Sequence, residues 1–341
     1  MPVNEILTGL AAAVGPAGAE GSAARLAMEL LGDYAPVCQD TLGSVIAELG
    51  DPDSDVHILL DAHIDEIGMI VTSVDDKGFL HIDRTGGADR RVLSGAEVIV
   101  IGKKRLPGVV CSTPPHLSSG DTSKVPEWDK LYVDIGCGAE KARDLVPPGS
   151  RIVVRSRPVH LLGDRIAGKS LDNRAGAAAL IRTVELLQSD IHRLPCRLSV
   201  LLSVQEEVGG QGAATASFAI EPTQSIAVDV GFGTQPGAPA EQTCDLGKGT
   251  MIGASPTLDR SITMKLRDLA EEHHIPWQHD IMGGTTGTNA DNIAVSRGGV
   301  RTGLLSIPLR NMHTAAEVVD LKDIESTARL LAEFVRAGGA K

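Results

Sequence analysis

Residues 198–204, LSVLLSV, form an apolar run that stops abruptly at two adjacent carboxylates followed by glycines, QEEVGGQGA. Seven residues rich in Val and Leu read as a strand buried on both faces, of the kind found in parallel sheets, rather than as a helix. Glu206 and Glu207 then sit at the strand's carboxyl end. In an open α/β sheet that edge is where ligands bind, because the crevice outside the strand ends is the concave place the architecture leaves. Neighbouring residues of extended chain point opposite ways, so one Glu of the pair can hold a metal while the other faces a reacting water. Paired glutamates alone are weak evidence, since Glu is usually a solvated surface residue. Their meaning depends on what else the chain brings to the same edge.

Other apolar strands end in polar residues in the same way. HILLDAHIDEIGMIV, 57–71, carries His63 and Asp65 one residue apart, and SIAVDVGFG, 225–233, carries Asp229 between Val228 and Val230. VRTGLLSIPLRNMHT delivers His313, and GKSLDNRAGAAALIRTVELLQ, 168–188, opens a helix at Asp172 or Asn173. Each has a plainer explanation taken singly. Asp172 could be a helix N-cap, and His57 or His81 is a hydrogen-bonded histidine of the core. Asp229 is harder to dismiss, because a charge inside a buried strand needs a partner. Two imidazoles with several carboxylates are the ligand set for a pair of divalent ions of the zinc, cobalt or manganese kind. The long separations between these residues suit ligands gathered from neighbouring strands of one sheet, not a local finger.

The rest of the chain alternates helical and apolar-strand patterns, which is α/β organisation. The N-terminal stretch 4–32 is helical: ILTGLAAAVGPAGA lacks the positive residues that open a signal peptide, since Glu5 precedes it and the first basic residue is Arg25. VCQDTLGSVIAEL reads as a hairpin turning near Gly43 and Ser44. Residues 67–165 differ in character. Short β-like runs (IGMIVTSV, GFLHID, AEVIVIG, GVVCS, KLYVDIG, RIVVRS) separated by turn signals, with AEKARDL the one helical candidate, predict a small all-β barrel or sandwich inserted into the larger unit. Residues 234–256 read as loop, 258–272 as a helix, 283–291 as a glycine-rich loop leading into a helix, and 320–337 as a closing amphipathic helix.

Composition narrows the function classes. Lys plus Arg number 32 against 44 Asp plus Glu, a net charge of −12 that disfavours nucleic acid or an anionic membrane surface as partner. No segment approaches 18 uninterrupted apolar residues, so nothing is expected to span a membrane. The five cysteines (Cys38, Cys111, Cys137, Cys196, Cys244) are odd in number, far apart and without a CxxC pairing. They read as reduced, mostly buried thiols of a cytoplasmic protein.

The pieces DAHIDEIG, LDNRAG, QEEVGGQGA, VDVG and IPLRNMHTAAEVVDLKD, in that order, resemble the tetrahedral aminopeptidases, family forty-two of the metallopeptidases, over most of the chain. The resemblance implies a mixed-sheet zinc-peptidase-type catalytic domain at 1–66 and 166–341, interrupted at 67–165 by a β-barrel used for dimer contacts. It also implies roles. One ion takes His63, Asp229 and one oxygen of Asp172; the other takes Glu207, His313 and the second oxygen of Asp172. Glu206 is then the general base, and Asp65 orients His63. A dinuclear zinc or cobalt aminopeptidase acting on peptides, working as a dimer or a dodecamer, is the expectation. Asn289 stands where similar proteins usually carry Asp, which removes a charge near the substrate, and Asn311 where they often carry an aromatic.

Rival readings fit less well. Related metal-dependent amidohydrolases or deacylases usually place their extra domain after the Glu pair. A glycosidase needs carboxyls on opposite sides of a sugar, ~5 to 9.5 Å apart, and the four Phe, two Tyr and two Trp leave little to stack sugars. A non-catalytic assembly protein has no reason to retain all the site residues. No GxSxG elbow or HExxH helix is present, and GFGTQPG has the wrong glycine spacing for a dinucleotide loop.

Overall fold

A computed structural model describes residues 1–117 and 124–341. Its core is an eight-stranded mixed sheet. Four parallel strands fill the centre, in the order Arg197–Ser203, His57–His63, Gln224–Phe232, Arg301–Leu309. The strand His57–His63 is buried at every position, which is what a strand covered on both faces requires. Ile58, Leu60 and Ala62 pack into the main core, beneath the helices Val3–Ala12, Leu171–Leu187 and Leu321–Arg336. Leu59 faces the other way, against Ala213, Ala216 and Ile293 of the helices Gln211–Ile220 and Asn289–Ala294.

The sheet's edges break the parallel pattern. The hairpin Val37–Gln39 and Val45–Gly50 adds antiparallel to Arg197–Ser203. Its turn is tied by Asp40 Oδ1, which accepts from the amides of Leu42, Gly43 and Ser44, and Gly43 takes the positive φ of 103° that this tight path demands. On the far edge Thr250–Ala254 runs antiparallel to Arg301–Leu309, and Trp277–Ile281 pairs parallel to Thr250–Ala254. The expected loop over 234–256 therefore ends in a strand. Five residues that follow Gly247 and Gly249 and contain Gly253 carry too little pattern to announce one.

The run 57–71 is not one strand. It breaks after His63, and Gly68–Val74 begins a closed six-stranded barrel with Leu80–Thr85, Tyr132–Asp134, Arg105–Cys111, Glu97–Ile101 and Arg151–Val154. The barrel has its own core around Met69, Val98, Val133 and Ile152. AEKARDL forms a helix, Ala139–Leu145. A three-stranded sheet, Val159–His160, Arg165–Gly168 and Glu317–Asp320, joins the end of the barrel segment to the C-terminal part of the chain.

All five cysteines are free, but only Cys196 is buried; Cys38 is exposed and the other three are intermediate. The expectation of mostly buried thiols fails: Cys38 lies on the edge strand Val37–Gln39, Cys111 at the end of a barrel strand, and Cys137 and Cys244 outside regular elements. Among the described residues no helix is long and apolar enough to cross a membrane.

Candidate metal centre

The carboxyl ends of the central strands converge on one cluster. His63 is the last residue of its strand, and Asp229 lies in the neighbouring strand beside it. Glu206 and Glu207 follow Ser203 by three and four residues, and His313 follows Leu309 by four. Asp172 comes from the helix Leu171–Leu187, at a point where its backbone leaves helical geometry at Asp172 and Asn173. Asn173 explains the local path: its Nδ2 donates to the Val228 carbonyl at 2.7 Å and its Oδ1 accepts from the Gly176 amide at 3.0 Å, so it pins the helix start to the Asp229 strand. The residue at the N-cap is Ser170, not Asp172, and its side chain makes no cap hydrogen bond.

Asp172 is the centre of the arrangement. Its Oδ1 lies 3.1 Å from His63 Nε2 and its Oδ2 lies 3.2 Å from His313 Nε2, so each oxygen meets one imidazole. Asp229 Oδ1 is 3.8 Å from His63 Nε2, and Glu207 Oε1 is 3.5 Å from His313 Nε2. Two triads result, His63, Asp172 and Asp229, and Asp172, Glu207 and His313, each with donor atoms within 4.8 Å of one another. Glu206 belongs to neither; its Oε2 stands 4.0 Å from His63 Nε2 and it lines the same cavity, of about 720 Å³.

Asp65 is buried beneath the cluster and does two things. It accepts from the amides of Glu206 at 3.0 Å and Glu207 at 3.1 Å, and its Oδ1 lies 3.3 Å from His63 Nδ1, a contact too oblique for a full hydrogen bond but close enough to set the ring's orientation. The Glu pair is not in extended chain. Gln205 has φ of 61° and residues 206–209 form a turn, so the two glutamates diverge because the chain reverses there and not because a strand alternates. Gly210 closes that turn at φ of 75°, where a Cβ would lie 2.0 Å from Asn292 Nδ2.

The charges do not balance within the protein. Burial and the nearby Asp172 charge push Glu207 up to about 10, and burial likewise raises Asp229 and Glu206 above the ordinary carboxylate range. Asp172 goes the other way: burial opposes its ionisation, but hydrogen bonds from His313 and His63 hold it well below that range. Burial opposes charge on His63 too, yet Asp172, Asp65 and Asp229 together raise it well above an ordinary imidazole. Four acids cannot all be ionised in this space against two imidazoles. Carboxylate oxygens and imidazole nitrogens in threes, short of positive charge, fit divalent cations of the zinc, cobalt or manganese class.

Two contributors were not read from the sequence. Glu317, 1% exposed, accepts from the Asp172 amide at 3.1 Å and from the His313 amide at 2.9 Å, tying together the backbone of residues from both triads. Its sequence, HTAAEVV, gives no sign of burial, because the strand that buries it is four residues long. Gly87, from the barrel, packs on His313 so closely that a Cβ there would lie 2.3 Å from Nδ1. Asn289 also differs from expectation. It is 2% exposed and donates through Nδ2 to Asp61 Oδ2 and Ser203 Oγ, both at 2.9 Å, so it braces strand ends and does not face substrate. Asn311 holds φ of 55° and bonds to Gln235 and Ala316 in the exposed turn before His313.

Known proteins carry the same arrangement of chain. The profile of the M42 glutamyl aminopeptidase family matches residues 43–330. A lysyl aminopeptidase of Pyrococcus furiosus is 33% identical over 317 residues, covering 89% of this chain and 88% of the relative. A TET aminopeptidase from a marine-sediment archaeon of the Thaumarchaeota superposes with a TM-score of 0.92 at 29% identity, over 98% of this chain and 96% of its own. A TET1 peptidase of Pyrococcus horikoshii, which can assemble into a tetrahedron or a large octahedral shell, superposes with a TM-score of 0.87 at 30% identity, over 98% and 99%. Sequence, fold and the acid-and-imidazole cluster agree, and the chain belongs to the M42 family of aminopeptidases, hydrolases of peptide bonds that use divalent metal.

Proposed function

We propose that this chain removes the N-terminal residue from peptides, using two divalent cations, zinc or cobalt, with Glu206 as general base. His63, Asp229 and Asp172 would hold one ion; His313, Glu207 and Asp172 would hold the other. The observation that carries this reading is the division of the two Asp172 oxygens between two imidazoles, with one further carboxylate, Glu206, left outside both triads in the same cavity. When bound, the cations supply a water of lowered pKa and a polarised scissile carbonyl.

The remaining steps belong to side chains. Glu206 accepts the proton of the attacking water on its carboxylate and returns it to the departing amine. Asp65 keeps Glu206 in place through the backbone and keeps the His63 ring turned toward Asp172. The cavity is of a size for one or two residues of a peptide. The division at 1–66 and 166–341 against 67–165 marks the catalytic and inserted parts, the barrel serves contacts between copies, and the chain works as a homo-oligomer, as the assembling TET1 relative supports. Free thiols without a pairing fit a reducing, cytoplasmic compartment.

The experiment separates metal from chemistry. Chelator-stripped protein reloaded with zinc or cobalt is expected to release amino acids from a panel of aminoacyl anilides. Glu206→Ala lowers turnover by about 100-fold or more while metal content stays near wild type, whereas Asp172→Ala loses metal by elemental analysis. Normal turnover in Glu206→Ala would remove the base from the scheme.

A further inference from the structure

We infer that the pocket beside the cation cluster selects a first residue with a positively charged side chain, lysine or arginine, through Asp280. The inference rests on the aminopeptidase reading and adds the side chain that reading leaves open, since the family profile is named for glutamate and the Pyrococcus furiosus relative for lysine.

Asp280 lies on the strand Trp277–Ile281 and lines the same cavity as His63, Glu206 and Asp229. The sheet connects them. Ser306 is the ladder partner of Asp229, and its Oγ donates to Asp280 Oδ2 at 3.1 Å. Arg301–Leu309 and Thr250–Ala254 lie between the strands of Asp229 and Asp280, and the Ser306 bond reaches across the second of them to fix the orientation of the carboxylate. Among the described residues Asp280 Oδ1 receives no hydrogen bond.

The walls near it suit an aliphatic stem carrying a charged tip. Met251, Met282 and Leu304 line the cavity, and the Met251 thioether lies against Gly231, where a Cβ would come within 2.7 Å of its methyl. Glu241 adds a second carboxylate to the lining, and neither Lys nor Arg occurs in it. A glutamate side chain entering here would meet Asp280 with no lysine or arginine in the lining to offset the repulsion. A leucine would cover Asp280 and leave a desolvated charge unpaired. A lysine or arginine pairs with it and strips no charge bare.

The test compares kcat/KM of the metal-loaded protein on Lys, Arg, Leu and Glu anilides, in wild type, Asp280→Asn and Asp280→Lys, with circular dichroism and metal content verified for each. Lys and Arg are expected to exceed Glu by about 100-fold or more. In Asp280→Asn the Lys-to-Leu ratio falls at least about tenfold, and Asp280→Lys shifts the ratio toward Glu. Calorimetric binding of free L-lysine against L-glutamate gives the same order without turnover. Preference for Glu or Leu in wild type, or a Lys-to-Leu ratio unchanged in Asp280→Asn, would overturn the inference. Release from none of the anilides by fully metallated protein would instead overturn the aminopeptidase reading itself.

Discussion

Gly87 contributes no side chain, and that is its function. The loop from the barrel lays its backbone on the His313 ring, with Gly86 beside it against Glu207, where a Cβ would stand 3.0 Å from Oε2. A Cβ at residue 87, 2.3 Å from His313 Nδ1, forces either the loop or the ring to move. His313 sits in a turn at φ of 63°, held by Glu317, so the turn has little room to follow. Gly87→Ala is therefore expected to weaken cation binding at the His313 side roughly 10- to 100-fold, read by titration of metal-stripped protein; affinity equal to wild type would show that the loop yields instead. Such a contact cannot be read from TGGAD, because nothing in the sequence says which side chain the glycines approach. His63, Asp172, Glu206, Glu207, Asp229 and His313 were legible because each interrupts or terminates an apolar pattern. Asn289 shows the limit of that logic: its place in a glycine-rich loop was visible, but not that its amide turns toward Asp61, away from the cavity.

At the scale of elements, the central strands were readable and the edges were not. LSVLLSV and SIAVDVGFG announce themselves because burial on both faces leaves no polar alternation. Thr250–Ala254 and Trp277–Ile281, at the margin of the sheet, are short, and the second alternates Trp, His and Ile with Gln and Asp. Asp280, on that margin, stayed invisible as a pocket residue for the same reason. The start of the strand His57–His63 holds a second kind of information. His57 is buried, its Nε2 is 2.7 Å from Ser199 Oγ, and Ser199 in turn donates to Glu48 at 2.7 Å. Burial, with Arg197 nearby, lowers its pKa below 6.5. The unfolded chain then takes up a proton before the folded one as pH falls, so the stability His57 contributes is complete above 6.5 and is lost as pH drops toward its folded value. His57→Leu removes that titration and leaves Ser199 its bond to Glu48. Denaturant unfolding at pH 7.5 and 5.5 is expected to show a smaller loss of stability in the variant than in wild type; equal losses would mean that His57 titrates alike in both states.

At the scale of the molecule, the barrel and the hairpin that follows it set both the metal cluster's wall and an apolar surface tip. The barrel approaches the metal cluster through Gly86 and Gly87, and the chain leaves it by the hairpin of Val159–His160 and Arg165–Gly168. That hairpin carries Val159, Leu161 and Leu162 at 54%, 43% and 97% exposure, three apolar side chains at one turn. A lone exposed leucine is ordinary, but an apolar tip on a hairpin is costly to solvate and marks a contact surface. In the homo-oligomer proposed above, a second copy of this chain would cover this tip. Burying one leucine stabilises a contact by about 2 kcal/mol, and a closed assembly repeats that gain at every equivalent interface. Leu162→Asp reverses the sign by placing a charge in each of those contacts, while the hairpin, tied to Glu317–Asp320 through Arg165–Gly168, keeps its register. Light scattering coupled to size exclusion is expected to show the variant at a smaller mass than wild type with unchanged metal content. An unchanged mass would move the contact surface elsewhere, first to the exposed Phe218 and Val295.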